Sequence, residues 1–428
     1  MTMRLGRVLA LLGGVIAAVL VLALPASAHA DLVWSTPDNG TLLRSEPNQV
    51  VLVFSEEVTA RLSWTHVIAP DGQRVDGAPA ADGDVTLVAP LRRDGARGTF
   101  VVSWHAVAAD DGHATAGVLT FVVGSPSPLP ANLNGTATPT STADLLDVAT
   151  WLSFLGFALL AGYFAVRLGC LPAGLDTRLP TWPAVTGWLT LFGATLLQLL
   201  LYGPYAAGVG PGRLLDRNLL ADTLSARMGE ALLVRAGALV VIAVLGDWLL
   251  ARRPSVRWWL VAPAAVVVLT LAVTWSVTSH AADGEWTALA MSITTLHLTA
   301  MGVWAGGLVT LWLLLGQAGG DVAVARFSQL ALTAVLVLMA TGLFQAVREI
   351  GGFPALVSTA YGRLLLLKLA VLLIVLAVAS RSRRRVHTRP EGGPAGLRRT
   401  VLLEAVGLVV LLAVTTLLIG SAPPTSLA

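Results

Sequence analysis

Hydrophobic residues are distributed differently in two parts of this chain. Between residues 29 and 124 they form short runs rich in β-branched and aromatic residues, which are separated by turn signals such as Pro70-Asp71-Gly72. These runs predict strands near 50–54, 63–69, 85–89, 99–107 and 117–123. We therefore predict an all-β sandwich, cupredoxin-like or Ig-like, of about seven strands. Side chains alternate along a strand, so Phe100, Val102 and Trp104 should share the core face.

From residue 147 onward the apolar runs are long enough to cross a bilayer. They predict an all-α polytopic membrane domain of eight helices over 147–420, followed by a tail at 421–428. The predicted spans are 147–168, 185–205, 230–250, 258–279, 287–315, 327–347, 361–380 and 400–420. Arginines are concentrated at 251–257 and 381–399, which places these loops in the cytoplasm and both chain ends outside.

The first 28 residues have the features of a secretory signal peptide. Arg4 and Arg7 precede an apolar run, and the small residues Ala26 and Ala28 precede the expected cleavage site. The alternative is an uncleaved first membrane helix, which would leave His29 without a free amine. Residues 125–146, rich in Pro, Ser and Thr, predict a linker that tethers the sandwich on the extracellular or periplasmic side of the cytoplasmic membrane.

Composition supports a membrane protein and excludes several other classes. The chain is 55% hydrophobic and only 12% charged, and its net charge of +3 is spread over loops, so we expect a lipid bilayer and no nucleic acid as partner. Lys368 is the single lysine and lies outside any phosphate-binding loop motif, which argues against ATP as an energy source. Cys170 is the single cysteine, so it forms no intrachain disulfide, and we expect it to be inert.

Three residues of the predicted sandwich suggest a copper site. Cleavage after Ala28 would make His29 the first residue, and its free amine and ring nitrogen can chelate one metal ion. Asp111 and His113 are two residues apart, so on an extended backbone their side chains point the same way. Together the three residues supply three nitrogens and one oxygen, a set that suits Cu(II). The alternative is a polar turn holding a solvated aspartate and histidine.

The sandwich resembles the CopC family of periplasmic copper-binding proteins over essentially all of 29–124. The matching residues are His29-Ala30, Ser35-x-Pro37-x-x-Gly40, Phe54-Ser55-Glu56 and Asp111-Gly112-His113. The resemblance implies that His29, Asp111 and His113 are the Cu(II) ligands, with His29 forming a histidine brace.

The sandwich differs from some members of that family in lacking methionine as a metal ligand. The stretch 29–124 contains no methionine, whereas Cu(I) prefers soft thioether ligands, so we expect Cu(II) only. The other two histidines of the domain, His66 and His105, lie in predicted strands. We expect them to be core or surface residues without a metal.

Ionisable residues within membrane spans suggest a second functional region. His297 shares a helix face with Met301, and His280 lies at the outer end of the preceding span, so His280, His297 and Met301 are candidates for a copper path. The alternative for each histidine is a hydrogen-bonded packing role. Gly302 and Gly306 form a small-xxx-small pattern that permits close helix approach. Four further charged residues favour structural ion pairing: Arg235, Arg363, Lys368 and Glu404.

The membrane part is similar to the CopD family of copper-resistance proteins, most clearly over 270–420. The matching pieces are Ser279-His280, His297-Leu298 with Trp304-x-Gly306-Gly307, Phe327-Ser328, Tyr361-Gly362-Arg363 with Lys368, and Arg398-Arg399 with Glu404. The two resemblances together imply a CopC–CopD fusion. Such a protein is a transporter and not an enzyme, binds copper outside the membrane and moves it across, most often inward, in copper homeostasis and resistance.

Three other functions remain open from the sequence. In a membrane redox protein, His280 and His297 would help ligate haem, which an optical Soret band would reveal. In an oxidative enzyme, the histidine brace would activate oxygen. In a sequestration protein, the sandwich would hold copper and the helices would serve only as an anchor.

Overall fold

The computed structural model describes residues 32–129 (without 56, 60, 79, 82–84, 94, 110, 111 and 113), 140–171, 179–251, 258–315 (without 283–285), 317, 320–388 (without 351) and 393–419. Within this part of the chain, the N-terminal region forms eight strands. They are β1 (Leu32–Thr36), β2 (Thr41–Leu43), β3 (Gln49–Phe54), β4 (Trp64–Ile68), β5 (Ala80–Ala81), β6 (Thr86–Pro90), β7 (Gly98–Val107) and β8 (Ala114–Val123). The strands make two four-stranded sheets, ordered β1-β3-β6-β5 and β2-β8-β7-β4. The predicted sandwich is confirmed, and the five predicted runs correspond to the five longer strands from β3 onward.

The core of the sandwich follows the alternation of the two central strands. Val50 and Leu52 of β3 are buried, and so are Phe100, Val102 and Trp104 of β7. These side chains belong to one apolar cluster between the sheets. The predicted core face of β7 is therefore confirmed, and burial of its aromatic and branched side chains stabilises the sandwich.

Strand β7 is buried on both faces along its whole length. Part of its outward face is covered by the chain that leaves the sandwich. The Thr99 N–H donates to Ser127 Oγ at 2.9 Å, and the Thr99 hydroxyl donates to the Ser127 carbonyl at 2.8 Å. The start of the predicted linker is thus bound to the sheet.

The rest of the described chain is helical. Its α-helices are α1 (Thr140–Ala165), α2 (Trp182–Ala206), α3 (Arg217–Ser225), α4 (Arg227–Ala251), α5 (Trp258–Ser276), α6 (Thr287–Leu314), α7 (Gly320–Ile350), α8 (Ala355–Ser358), α9 (Ala360–Thr388) and α10 (Gly393–Ile419). Five segments among the described residues are long and apolar enough to cross a membrane: Ser141–Cys170, Trp182–Ala206, Thr287–Leu314, Val322–Ile350 and Tyr361–Ser380. The other three predicted spans overlap α4, α5 and α10, so helix is present at all eight positions, while the count of eight spans stays a prediction.

Glycines allow the backbones of α1 and α6 to touch. A Cβ placed on Gly306 would overlap the Ala158 carbonyl, and a Cβ on Gly162 would overlap the backbone of Gly306 and Gly307. A Cβ on Gly302 would lie 2.9 Å from the Phe157 ring. The close approach expected from the spacing of Gly302 and Gly306 is present, with α1 as the partner helix.

A buried carboxylate holds the edge strand β4 in place. Asp76 accepts hydrogen bonds from the Val67 N–H at 2.8 Å and from the Arg74 guanidinium, and His66 Nδ1 lies 3.6 Å from its carboxylate. Burial by itself would raise the pKa of Asp76. The hydrogen bonds from Arg74 and Val67, together with the nearby His66 ring, outweigh burial and lower this pKa from 3.8 to about 2.

This lowered pKa predicts a loss of stability in acid. Ionised Asp76 should contribute about 2 kcal/mol above pH 4, where the unfolded carboxyl is also ionised, because each unit of pKa difference corresponds to about 1.4 kcal/mol. The contribution should disappear as the pH falls from 4 through the folded pKa near 2. Hydrogen exchange of the β4 amides in the whole protein, measured at pH 6 and pH 3, tests this.

The matched variant for that measurement is Asp76→Asn, which keeps the side-chain size but never ionises. Its β4 amides should already exchange faster at pH 6 and should lose less protection at pH 3 than those of the unaltered protein. Equal acid sensitivity in both proteins would show that Asp76 does not stabilise the edge strand.

Candidate metal sites

The three residues predicted to bind Cu(II), His29, Asp111 and His113, lie outside the described residues. Gly112, between the last two, is described. Its φ of +72° lies in the left-handed region, which glycine adopts without a steric penalty, and its N–H donates to the Ala108 carbonyl at 3.2 Å. The backbone at Gly112 is therefore a tight turn that needs glycine, and not the extended backbone from which a common direction of the Asp111 and His113 side chains was predicted.

This turn lies against the membrane domain. A Cβ placed on Gly112 would be only 2.9 Å from Tyr202 Cε2 of α2. The Ala114 N–H points to the Tyr205 hydroxyl at 3.5 Å, which is at the limit of a hydrogen bond. The end of the sandwich that carries the candidate ligands is thus in contact with the end of α2.

We call the contact surface between the two domains the docking seam. It comprises Leu62, Val107 and Ala114 of the sandwich and Tyr202, Tyr205, Ala206, Ala226 and Met228 of the helical domain, which pack as one cluster. The loop after α2 extends it, because a Cβ on Gly208 would lie 3.5 Å from Trp64 Nε1 and 3.7 Å from His105 Cδ2. The sandwich is therefore docked on the helical domain in addition to being linked to it.

The two remaining sandwich histidines have different environments, and both rings stack on Trp64. His66 is 31% exposed, and its ring centroid lies 4.4 Å from that of Trp64. His105 has no exposed surface, and its centroid lies 5.4 Å from Trp64. Neither belongs to the apolar core between the sheets. Burial lowers the pKa of His105 to about 4, so its ring is neutral at physiological pH.

The membrane histidine His297 has a defined hydrogen bond on one side of its ring. Its Nδ1 lies 2.8 Å from the Thr341 hydroxyl of α7, and that hydroxyl donates its single proton to the Val337 carbonyl at 2.6 Å. Thr341 must therefore accept from Nδ1–H, which leaves Nε2 unprotonated in the neutral ring. An unprotonated Nε2 is the form of imidazole that binds a metal.

The surroundings of the other two candidates for the copper path, Met301 and His280, are described in less detail by the structure. Met301 is half-buried and packs against the large apolar cluster of the helical domain. His280 begins a short 3-10 turn, His280–Ala282, but its side chain lies outside the described residues. Ala281 of this turn packs against Ala290 and Phe344, at the same ends of α6 and α7 where Met291 also lies. Among the described residues no group of three or more His, Cys, Asp or Glu is arranged to hold a metal ion.

The structure adds Glu349 to the polar residues of the helical domain that the sequence pointed to. Lys368 of α9 is close enough to His297 and to Glu349 of α7 for a charge interaction with each. The Tyr361 hydroxyl donates a hydrogen bond to the Glu349 carboxylate. Glu349 is thus a neighbour of Lys368, one of the four residues for which ion pairing was expected. Glu349 lies just beyond the predicted span 327–347, so the sequence treated it as a loop residue, whereas the structure extends α7 to Ile350.

Arg235 is fully buried and bonded to neutral groups. Its guanidinium donates to Thr274 Oγ1 at 2.9 Å and to Gln198 Oε1 at 3.2 Å, and it lies 3.7 Å above the centre of the Trp275 ring. The ion pair expected for Arg235 is absent from the described residues, and hydrogen bonding with a cation–π contact takes its place.

Family models match both parts of the chain. Residues 32–124 match the CopC domain, and residues 321–418 match the family described as copper resistance protein D, or CopD. A curated relative, the copper transport protein CutJ of Bacillus subtilis, is 30% identical over 427 residues, covering 93% of this chain and 75% of the relative.

Two solved structures are similar to the sandwich. CopC from Methylosinus trichosporium OB3b is 23% identical and covers 24% of this chain and 99% of its own, with a TM-score of 0.21. The methionine-rich copper resistance protein PcoC from Escherichia coli is 26% identical and covers 22% of this chain and 99% of its own, also with a TM-score of 0.21.

Proposed function

This chain belongs to the family of copper transport proteins that carry a CopC domain and a CopD domain, and from this membership we propose that it captures copper outside the cytoplasmic membrane and moves it inward. The family comprises transport and resistance proteins and is not a family of enzymes. Copper is therefore the cargo, and the lipid bilayer surrounds the helical domain.

For capture, we propose that His29, Asp111 and His113 bind Cu(II), with His29 as the N-terminal residue after signal cleavage. Two imidazoles, one amine and one carboxylate form a donor set that Cu(II) prefers in a tetragonal arrangement. Residues 29–124 contain no methionine, so the sandwich offers no thioether ligand, which is the type that Cu(I) prefers. The Gly112 turn supports the proposal, because its left-handed backbone separates two ligands by a single small residue.

For passage, we propose that copper moves along α6 and α7 past His280, His297 and Met301. His297 offers an unprotonated Nε2, since its ring proton is on Nδ1, which donates to the Thr341 hydroxyl. The histidine and methionine of the same helix provide nitrogen and thioether ligands, which are suitable for a copper ion in transit.

The observation that carries the proposal is the contact of Gly112 with Tyr202. Adjacent Cα atoms are about 3.8 Å apart, so a copper ion bound by the two neighbours of Gly112 would be held next to α2 of the helical domain. A sandwich that only stored copper would not need to present its binding loop to the membrane domain.

The test is cytoplasmic copper in cells at low external copper. Cells with the intact protein should accumulate more than empty cells, and Asp111→Ala/His113→Ala should return accumulation to the empty-cell level. His66→Phe, which changes a histidine of the same domain, is the matched control and should accumulate normally. Unchanged cytoplasmic copper with the intact protein would exclude uptake and favour sequestration, and a Soret band in the purified protein would favour the haem alternative.

A further inference from the structure

His105 is a buried histidine whose two ring nitrogens have no hydrogen-bond partner among the described residues. It has no exposed surface. Buried polar groups are nearly always paired, and leaving one unpaired is destabilising, so such a group needs an explanation. Packing alone gives none, because an apolar ring of the same shape would fill this position without the penalty.

His105 points away from the sandwich core. Trp104, its neighbour in β7, is part of that core, and side chains alternate along a strand, so His105 is on the outward face of the sheet. On that face it lies between Trp64 and the loop after α2, where a Cβ on Gly208 would be 3.7 Å from its Cδ2. The unpaired ring therefore lies between Trp64 and the helical domain, beside the docking seam.

The same face of β7 leads from His105 to the candidate copper loop. Val107 is two residues further along, about 7 Å away, and it packs against Tyr202 and Ala206 in the docking seam. Tyr202 in turn contacts Gly112, between Asp111 and His113. Met228, a thioether, belongs to the same seam. A nitrogen ligand and a soft sulfur ligand thus lie at the interface that copper would cross.

We propose that His105 is a transient copper ligand in the docking seam, which receives the ion from the loop of Asp111 and His113 and passes it to the helical domain. This inference rests on the proposed function. One nitrogen of the neutral ring carries a lone pair that no other group uses, and a weakly held ligand of this kind suits an ion that must leave again. Copper binding would also supply the partner that the buried ring lacks.

The first test replaces His105 by phenylalanine, which keeps a planar ring and removes both nitrogens. His105→Phe should fold with a thermal unfolding midpoint equal to or above that of the intact protein, because an unpaired polar group is lost. It should bind Cu(II) at the loop with unchanged stoichiometry, yet lower cytoplasmic copper accumulation at least about tenfold. His66→Phe, on the other ring that stacks on Trp64, should accumulate normally. Normal accumulation in His105→Phe would overturn the proposal.

A second measurement does not depend on transport in cells. In the purified full chain with Asp111→Ala/His113→Ala, titration with Cu(II), the oxidation state that the loop is proposed to bind, should lose one binding equivalent when His105→Phe is added. An unchanged stoichiometry would overturn the relay role. If intact protein fails to raise cytoplasmic copper but the Cu(II) equivalent depends on His105, transport inward is wrong and the seam site stands.

Discussion

Replacing Gly306 by valine should leave almost no folded protein, and Gly306→Ala should destabilise the helical domain by about 3 kcal/mol. The reason is steric. Any Cβ at this position would overlap the Ala158 carbonyl of α1, and α1 offers no flexible side chain there that could move aside. Separating α1 from α6 would also break the contact of Gly162 with the Gly306–Gly307 backbone. The thermal unfolding midpoint in detergent and the yield of monodisperse protein measure the effect.

Gly193 provides the matched control for this substitution. It is also a helix-interior glycine, in α2, but a Cβ there would meet no atom within 4 Å. Gly193→Ala should therefore be neutral or stabilising, because alanine has the higher helix propensity. Equal unfolding midpoints for Gly306→Ala and Gly193→Ala would show that α1 and α6 do not approach each other as closely as the structure indicates.

The largest expected effect on transport comes from His297→Ala. If copper passes this residue, the variant should accumulate no more cytoplasmic copper than empty cells, while Cu(II) binding by the sandwich stays intact. Ser292→Ala, an exposed position on the same helix, is the control and should behave like the unaltered protein. Normal accumulation in His297→Ala would remove this histidine from the path and leave it a packing role with Thr341.

Thr341→Val separates the ligand role of His297 from the role of its partner. Valine removes the acceptor that fixes Nδ1–H, so the ring is no longer held in the tautomer with a free Nε2. Loss of a hydrogen-bonding partner behind a metal ligand typically costs tenfold or more, and we expect a decrease of about tenfold in accumulation. Accumulation that is insensitive to Thr341 but sensitive to His297 would mean that the tautomer is not limiting.

The linker is one of several connections between the sandwich and the helical domain. A flexible tether raises the local concentration of a donor near its acceptor. Here the start of the linker is bound to β7 through Ser127, and Thr142 of α1 donates to the Val209 carbonyl at 2.9 Å, next to the docking seam. Gly112, between the two candidate copper ligands, is therefore held at the helical domain by contacts in addition to the tether.

Local sequence alone determined most of the secondary structure. The alternation in 50–54 and 99–107 defined β3 and β7 and the core face with Phe100, Val102 and Trp104, because a period of two follows from the extended backbone itself. The long apolar runs likewise predicted helix at all eight positions. Strands β1, β2 and β5 were not located, since they are defined mainly by pairing with other strands, as β2 pairs in parallel with β8.

The tertiary structure decided the environments of the functional candidates. His105 has the sequence context of an ordinary strand histidine, and its burial involves both Trp64 and the loop after α2, about a hundred residues later. The free Nε2 of His297 depends on Thr341, 44 residues away. Backbone periodicity is a local property that the sequence displays directly, whereas burial and protonation depend on which distant groups pack against a side chain.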